Sequence, residues 1–445
     1  MAMTGLSAFP TLPGRTVGAP VDGARRLLLR DVRLHRSGPA DPVEPVAAEP
    51  LDVHLDRLGP RPLGDPRLVD LLEAARLTGH GGAHVAAALR WRAVAAGAGP
   101  LTVVANGAES EPVAGKDGTL LRQRPHLVLD GLMLAAESLG AHRAVVWLHG
   151  DDDGGRRALL AALAERRWSD SRLPVEVLMG PVHYLAGESS AITRAVQGGP
   201  ALPTVRRRRG DPRAPRTLVH NVETLARLAL LARGHAPAGT RLLSVLGADR
   251  VVVEVEQTTT FGQLLAGLGW PAAPQAVLLG GYGGLWAPWE RLSHLPVDER
   301  ALRAEGLTLG AGVVLPLAAG ECGLRATADL VDYLASMSAR QCGPCRFGLP
   351  ALADSWRALA EGRDVLGEVL DDAGAVEGRG ACHHPDGATR LVASAVATFE
   401  ADVAAHRAGR PCVAGGSGPS SAGWSSSLPS SAVPASTGPT PGERR

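Results

Sequence analysis

The 445-residue chain carries 46 basic and 45 acidic side chains, is 45% hydrophobic and only 3% aromatic. Such a length predicts two to three domains, and a net charge of +1 offers no electrostatic handle for nucleic acid or an acidic lipid surface. Five cysteines are too few for a disulfide framework and suit a reducing cytoplasm, where clustered cysteines more often hold metal or do redox chemistry. The N-terminus shows no charged start followed by an apolar run, so no signal peptide is expected. Apolar runs are broken by Arg, Gly or Pro before the roughly 20 residues that a membrane helix needs. A cytoplasmic chain without membrane insertion is therefore expected.

Residues 1–50 read as an irregular arm, with one apolar run, "RRLLLRDVRL", long enough for a strand. "DPRLVDLLEAARLTG" has helical spacing, with Leu68, Leu71, Leu72 and Ala75 on one face. "PLTVVANG" reads as a strand, "RPHLVLDGLMLAAESLG" as a helix and "AHRAVVWLHG" as the next strand. "DDDGGRRALLAALAERRW" is helical again, and "LPVEVLMG" a further strand. This alternation predicts a parallel α/β sheet over about residues 51–238, with ligands beyond the carboxyl ends of its strands. From residue 239 to 322 the pattern is strand, strand, short helix, strand and Gly-rich turn, as in a small α+β module. Residues 323–410 then read as helices, "ATRLVASAVATFEADVAAHRAG" among them. Residues 411–445, rich in Ser, Pro and Gly, cannot bury enough surface to offset their ordering entropy.

"SMSARQCGPCRFGLPAL" places Cys342 and Cys345 at a helix–helix junction, and Cys382 follows in "GRGACHHPDG". A thioredoxin-type dithiol sits at a turn from strand to helix, which the helical segment before Cys342 does not provide. Two thiolates on one turn and a third on a distant loop suit an iron–sulfur cluster or a zinc ion. Structural or dithiol cysteines are the third reading. His383, His384 and Cys322 stand as added ligands, or as two loop histidines and a small buried hydrophobe; Cys412 reads as a free thiol.

The cysteine segment resembles that of the NADH-binding flavoprotein subunit of NADH-quinone oxidoreductase (respiratory complex I) and its hydrogenase and formate dehydrogenase relatives. Ser338, Cys342, Pro344, Cys345, Arg346, Gly348 and Cys382 match that family's [4Fe–4S] motif, and Ala339 stands where its first cysteine belongs. The resemblance therefore implies a cluster with three cysteine ligands, Cys342, Cys345 and Cys382. "LTGHGGAHVAAALRW" is similar to the family's flavin loop at Gly79, Gly81, Gly82, Ala83, Leu89 and Trp91, with Arg90 in place of a lysine. "VVANGAESEPVAGKDG" keeps Asn106, Glu109, Glu111, Pro112, Lys116 and Asp117; "PVHYLAGESSAI" keeps Tyr184, Gly187, Glu188 and Ala191. "TLVHNVETLARL" keeps Val219, Asn221, Val222, Glu223, Thr224, Leu225 and Ala226. The departures are His80, His84, Val85 and Ala108, together with the run 206–209, which holds four arginines and no aromatic.

What the resemblance implies is a Rossmann-like FMN-binding α/β domain, a β-grasp (SLBB-like) domain and a C-terminal helical bundle with the iron–sulfur site. Gly79, Gly81, Gly82, Arg90, Asn106, Glu109, Tyr184, Gly187, Glu188 and Asn221 would line the cofactor site, with Glu109 and Glu188 shaping the nicotinamide pocket. The implied activity passes electrons from NAD(P)H through FMN to the cluster, and on to a ferredoxin or small [2Fe–2S] protein, within a larger redox complex. The alternative is an iron–sulfur relay or scaffold whose flavin site has degenerated and which does not oxidise NADH.

Overall fold

A computed structural model describes residues 26–34, 42–44, 46–166, 173–204, 216–235, 239–247 and 249–412. The four-arginine run and most of the Ser/Pro/Gly-rich tail lie outside the described residues, as does most of the N-terminal arm.

Strand β1 (Val32–Leu34) comes from that arm, and helices α1 (Leu51–Leu58), α2 (Leu68–Ala74) and α3 (Ala87–Ala95) follow. The next unit alternates β2 (Leu101–Gly107), α4 (Lys116–Gln123), α5 (Pro125–Ser138), β3 (Arg143–Leu148), α6 (Asp153–Glu165) and β4 (Val175–Met179). Helix α7 (Ser189–Val196), strand β5 (Arg216–Asn221) and helix α8 (Val222–Ala232) complete it. Its four strands pair in parallel in the order β4-β3-β2-β5. The run "LTVVANG" is buried at all but one position, as a central strand covered on both faces must be. Gly131 of α5 lies so near α8 that a Cβ there would meet the Leu225 carbonyl, and only glycine permits that approach. On α2 the sequence reading is corrected in part: Leu72 is buried but Leu71 is 36% exposed, because one turn of a seven-residue helix reaches the core.

The second sheet is mixed, in the order β1-β7-β6-β10-β8-β9. Strands β6 (Thr240–Leu246) and β7 (Arg250–Glu256) form a hairpin, and α9 (Phe261–Gly267) starts from a capping box at Thr260 and Gln263. Then come β8 (Ala276–Leu279), β9 (Leu285–Pro288), α10 (Trp289–Leu292), α11 (Glu299–Ala304) and β10 (Val313–Leu317), which lies parallel to β6. Strand β1 pairs antiparallel with β7, so part of the arm completes this sheet. Leu27, Leu28 and Leu34 are buried in the same core as the parallel unit.

The C-terminal region is helical: α12 (Gly323–Ser336), α13 (Leu349–Ala360), α14 (Leu366–Val376), α15 (His384–Thr398) and α16 (Glu400–Arg407). The last apolar stretch, read as one helix, is two, parted at Phe399. The Phe399 ring stacks edge-on to Trp286, 5.2 Å between centroids, and lies where a Cβ on Gly323 would sit. Among the described residues no helix is long and apolar enough to cross a membrane.

Candidate functional site

Arg340 takes φ +51°, a left-handed conformation that turns the chain sharply after α12. The backbone from Pro344 to Gly348 is a π-helical turn running into α13, and it buries Cys345 while Cys342 stays half-buried. The Cys345 thiol donates a hydrogen bond to the Cys342 sulfur, which also accepts the backbone N–H groups of Ala381 and Cys345; both cysteines are free. The loop carrying Cys382 thus returns to the turn from 37 residues away, and its charge is felt at Cys345. Burial pushes the Cys345 thiol up to about 12, and the bond and charges of its sulfur neighbours add to this. Burial also opposes ionisation of Cys342, but the backbone donors hold it below the usual range. A buried thiol that resists ionisation beside two further sulfurs is a donor set whose charge bound iron would neutralise.

A zinc ion with bonds of about 2.3 Å needs its sulfurs about 3.8 Å apart. Among the described residues, the trio whose ligand atoms all lie within 4.8 Å of one another is a different one, Cys322, His406 and Cys412.

The neighbouring histidines are engaged elsewhere. His384 is buried and its Nε2 lies 2.8 Å from the Leu334 carbonyl at the end of α12. His383 is exposed and faces Asp386 at 3.8 Å. One reading of the lone cysteines is corrected. Cys322 immediately precedes α12 with its sulfur 3.7 Å from His406 Nε2, so it is neither an added cluster ligand nor an inert hydrophobe. Cys412 is a free thiol, as expected, but a buried one, 2.8 Å from the same nitrogen.

The flavin residues gather at the carboxyl end of the parallel sheet. The Gly79 N–H donates to the Val85 carbonyl (2.8 Å) and the His80 N–H to Thr224 Oγ1 (2.9 Å), closing residues 79–85 into a loop over β5. Gly82 takes φ +101°, and a Cβ on Gly81 would come within 3.3 Å of the Asn221 side chain. A Cβ on Gly187 would lie 2.6 Å from the Ala108 carbonyl. Bare backbone is therefore required on both sides of the sheet's end, as for a loop that lies close to a nucleotide-like ligand. Asn106 donates to the Gly187 carbonyl (2.9 Å) and accepts from the Ala108 N–H (3.0 Å). Arg90, at the edge of the loop, donates to the Val219 carbonyl (3.0 Å). Glu188 accepts N–H groups of Ser190 (2.8 Å) and Ala191 (3.0 Å), capping α7. These amides, glycines and one guanidinium fit FMN by their chemistry.

Beneath the loop lies a buried charge network. Lys116 Nζ pairs with Asp117 (2.7 Å) and Glu223 (3.0 Å), and Asn221 donates to Asp117 (2.6 Å). Glu223 also meets His80 at 3.1 Å, and burial holds that imidazole near 3, so it is neutral. The departures at the loop have structural consequences: His84 takes φ +48°, with its ring 3.1 Å from the Gly310 carbonyl and 3.4 Å from Glu299.

A cavity of about 210 Å³ opens where the parallel sheet meets the helical region. Glu109 and Tyr184 are the expected residues that line it; Gly79, Gly81, Gly82, Arg90, Asn106, Gly187, Glu188 and Asn221 surround the sheet's end without lining it. Sequence reasoning left out Glu111, Arg250 and Tyr333 of this wall. The second glutamate of "ESEP" was the available signal for Glu111; Arg250 and Tyr333 come from other units and gave none. Glu109 accepts the N–H groups of Asp117 (3.1 Å) and Gly118 (3.1 Å) at the start of α4. Glu111 accepts from Tyr184 Oη (3.0 Å) and the Tyr282 N–H (3.0 Å). Loss of water pushes both carboxyls up to about 7. The Tyr184 ring then stands 5.5 Å from His384 and 5.8 Å from Tyr333, centroid to centroid, so one side chain joins the carboxylate strip to the cysteine loop.

Comparison with known proteins matches residues 72–230 to the Nuo51 FMN-binding domain and residues 325–406 to the NADH-ubiquinone oxidoreductase-F iron-sulfur binding region. The F subunit of NADH-quinone oxidoreductase in Mycobacterium tuberculosis is 27% identical over 384 residues, covering 78% of this chain and 85% of that protein. Its Escherichia coli counterpart is 27% identical over 379 residues, covering 76% and 83%. In fold the chain resembles an NAD+-reducing [NiFe]-hydrogenase chain in the H2-reduced state, with TM-score 0.69 and 24% identity over 77% of this chain and 62% of that one. The air-oxidised form gives 0.71 and 23%, over 82% and 68%. The chain thus carries the FMN-binding domain and the iron–sulfur binding region of these families, and resembles the F subunits of NADH-quinone oxidoreductase over most of its length.

Proposed function

We propose that this chain is the electron-input component of a redox complex, oxidising NAD(P)H at a bound FMN and delivering the electrons to an iron–sulfur cluster. The observation that carries this reading is the position of Tyr184. It touches Glu111 on the flavin side and His384, two residues beyond Cys382, on the cluster side. FMN, when bound, accepts a hydride's two electrons and gives them up singly, and a cluster carries them one at a time. Gly79, Gly81, Gly82, Arg90, Asn106, Gly187 and Asn221 would hold the flavin, Arg90 supplying positive charge for the phosphate. Cys342, Cys345 and Cys382 would hold the cluster, a [4Fe–4S] centre whose fourth corner, at Ala339, takes a ligand that is not cysteine.

The chain's own residues have separate tasks. Glu109 and Glu111 form an acidic wall that keeps phosphate away and orients an uncharged ring edge. With carboxyls near 7, their oxygens exchange protons at neutral pH. Glu188 acts one step removed, fixing the 3-10 turn Tyr184–Gly187 through its cap on α7. We assign residues 51–238 to the FMN unit, 239–322 to a β-grasp, SLBB-like unit and 323–410 to the cluster domain. A ferredoxin or small [2Fe–2S] protein is the acceptor that matches a single-electron donor, and a cytoplasmic setting supplies it.

One observation favours a second reading, an iron–sulfur relay with a degenerate flavin site: the His84 ring sits at the loop and Ala108 stands where the family has a carboxylate. Anaerobic purification distinguishes the two. Stoichiometric flavin that bleaches with NADH supports oxidation; iron and sulfide without flavin support the relay. Zinc without labile sulfide at Cys342, Cys345 and Cys382 overturns both.

A further inference from the structure

Cys322, His406 and Cys412 meet at the end of the helical region opposite the cluster cysteines. Cys322 is the residue before α12, and its side chain takes no part in capping that helix. His406 is buried in the last turn of α16, and its Nε2 lies 3.7 Å from Cys322 Sγ and 2.8 Å from Cys412 Sγ. All three ligand atoms fall within 4.8 Å of one another. A tetrahedral zinc with bonds of about 2.3 Å to sulfur and about 2.0–2.1 Å to nitrogen separates its ligands by about 3.5–3.8 Å. Of the three edges, Cys322–His406 already has this length, Cys322–Cys412 lies within 4.8 Å, and His406–Cys412, at 2.8 Å, opens by about 0.7 Å on binding.

We propose that Cys322, His406 and Cys412 bind a single zinc-class ion that ties the end of the last helix to the start of the first helix of the cluster domain. The donor chemistry selects the ion. Two thiolates and an imidazole suit zinc and disfavour magnesium or calcium, which prefer oxygen. Binding releases the two thiol protons to solvent and involves no change of oxidation state. Three protein ligands leave one tetrahedral position to water, and an open pocket lined by Gly320, Thr398 and Asp402 lies at this corner of the domain. The ion closes a loop from residue 322 to residue 412, so its effect is on the integrity of the domain, not on electron flow.

The test uses the full chain, purified anaerobically with its cluster in place, and zinc or cobalt(II) as the probe. Expected are one tightly held zinc beyond the iron, and a thiolate-to-cobalt charge-transfer band on substitution. His406→Gln and Cys412→Ser each weaken zinc binding by at least about 100-fold and leave labile sulfide unchanged, whereas Cys345→Ser removes sulfide and leaves zinc. If those variants fail to fold, alkylation of the unaltered chain decides: zinc protects Cys322 and Cys412, identified by peptide mass. No cobalt band, zinc lost with Cys345→Ser, sulfide lost with Cys412→Ser, or a Cys322–Cys412 disulfide in the isolated protein each overturns the proposal. None of these results depends on whether flavin or NADH binds.

Discussion

Helix α12 runs between two groups of cysteines, and its 14 residues keep them about 21 Å apart. Beyond its end, Cys342 lies just before the π-helical turn that holds Cys345, and the loop before α15 brings Cys382 to them. At its start, Cys322 meets a histidine and a cysteine that come from the far end of the domain's sequence. The first group lies where α12 gives way to α13 and before α15, the second at the start of α12 and the end of α16, so one is built on a turn and the other on helix ends. At the turn, backbone N–H groups support the Cys342 sulfur. Converging helix ends bring side chains closer together, and a single ion fills the gap.

The comparison breaks most readily at Cys345. Cys345→Ser removes the visible absorbance and labile sulfide of an anaerobic preparation, and retained absorbance would sink the ligand assignment. The next largest effect is at the missing corner: Ala339→Cys restores a fourth thiolate and slows loss of sulfide in air severalfold, by about 10-fold or less. An unchanged decay time shows that residue 339 does not face the cluster.

His384→Ala leaves the Leu334 carbonyl without its buried partner and costs on the order of 1–3 kcal/mol, measured by urea unfolding of the loaded protein. The exposed His383→Ala changes stability by less than about 0.5 kcal/mol. Equal effects at the two positions would mean that the loop is held by something other than the His384 bond.

The smallest effect concerns pH. Glu111 is raised by burial to about 7, so between roughly 4.5 and 7 the folded state binds more protons than the unfolded one. Stability from this group is therefore lost as pH rises through that window. Glu111→Gln flattens the profile and gains on the order of 1–3 kcal/mol at pH 8; a parallel profile for both proteins would contradict the assignment.

Much of this was legible in the chain because the signals are local. "LTVVANG" declares a covered strand by its apolar run, and "CGPC" with a distant third cysteine admits an inorganic centre by its spacing, which the family resemblance then specifies as a cluster. Strands β9 and β10 carry no comparable signal, since four and five apolar residues beside glycines have no periodicity to measure. The exposure of Leu71 was not legible either, because spacing gives a helical face but not how much of the face finds a partner.

Composition and motif order alone decided the resemblance to the family and the α/β alternation, and nominated the cysteines and loop glycines, since each motif depends on neighbours a few residues away. Only the tertiary structure decided that Tyr184 bridges to His384, that Arg250 and Tyr333 wall the cavity, and that Cys322, His406 and Cys412 share a corner. Those meetings depend on how helices and sheets pack, and contacts between residues far apart in the chain leave no periodic trace along it.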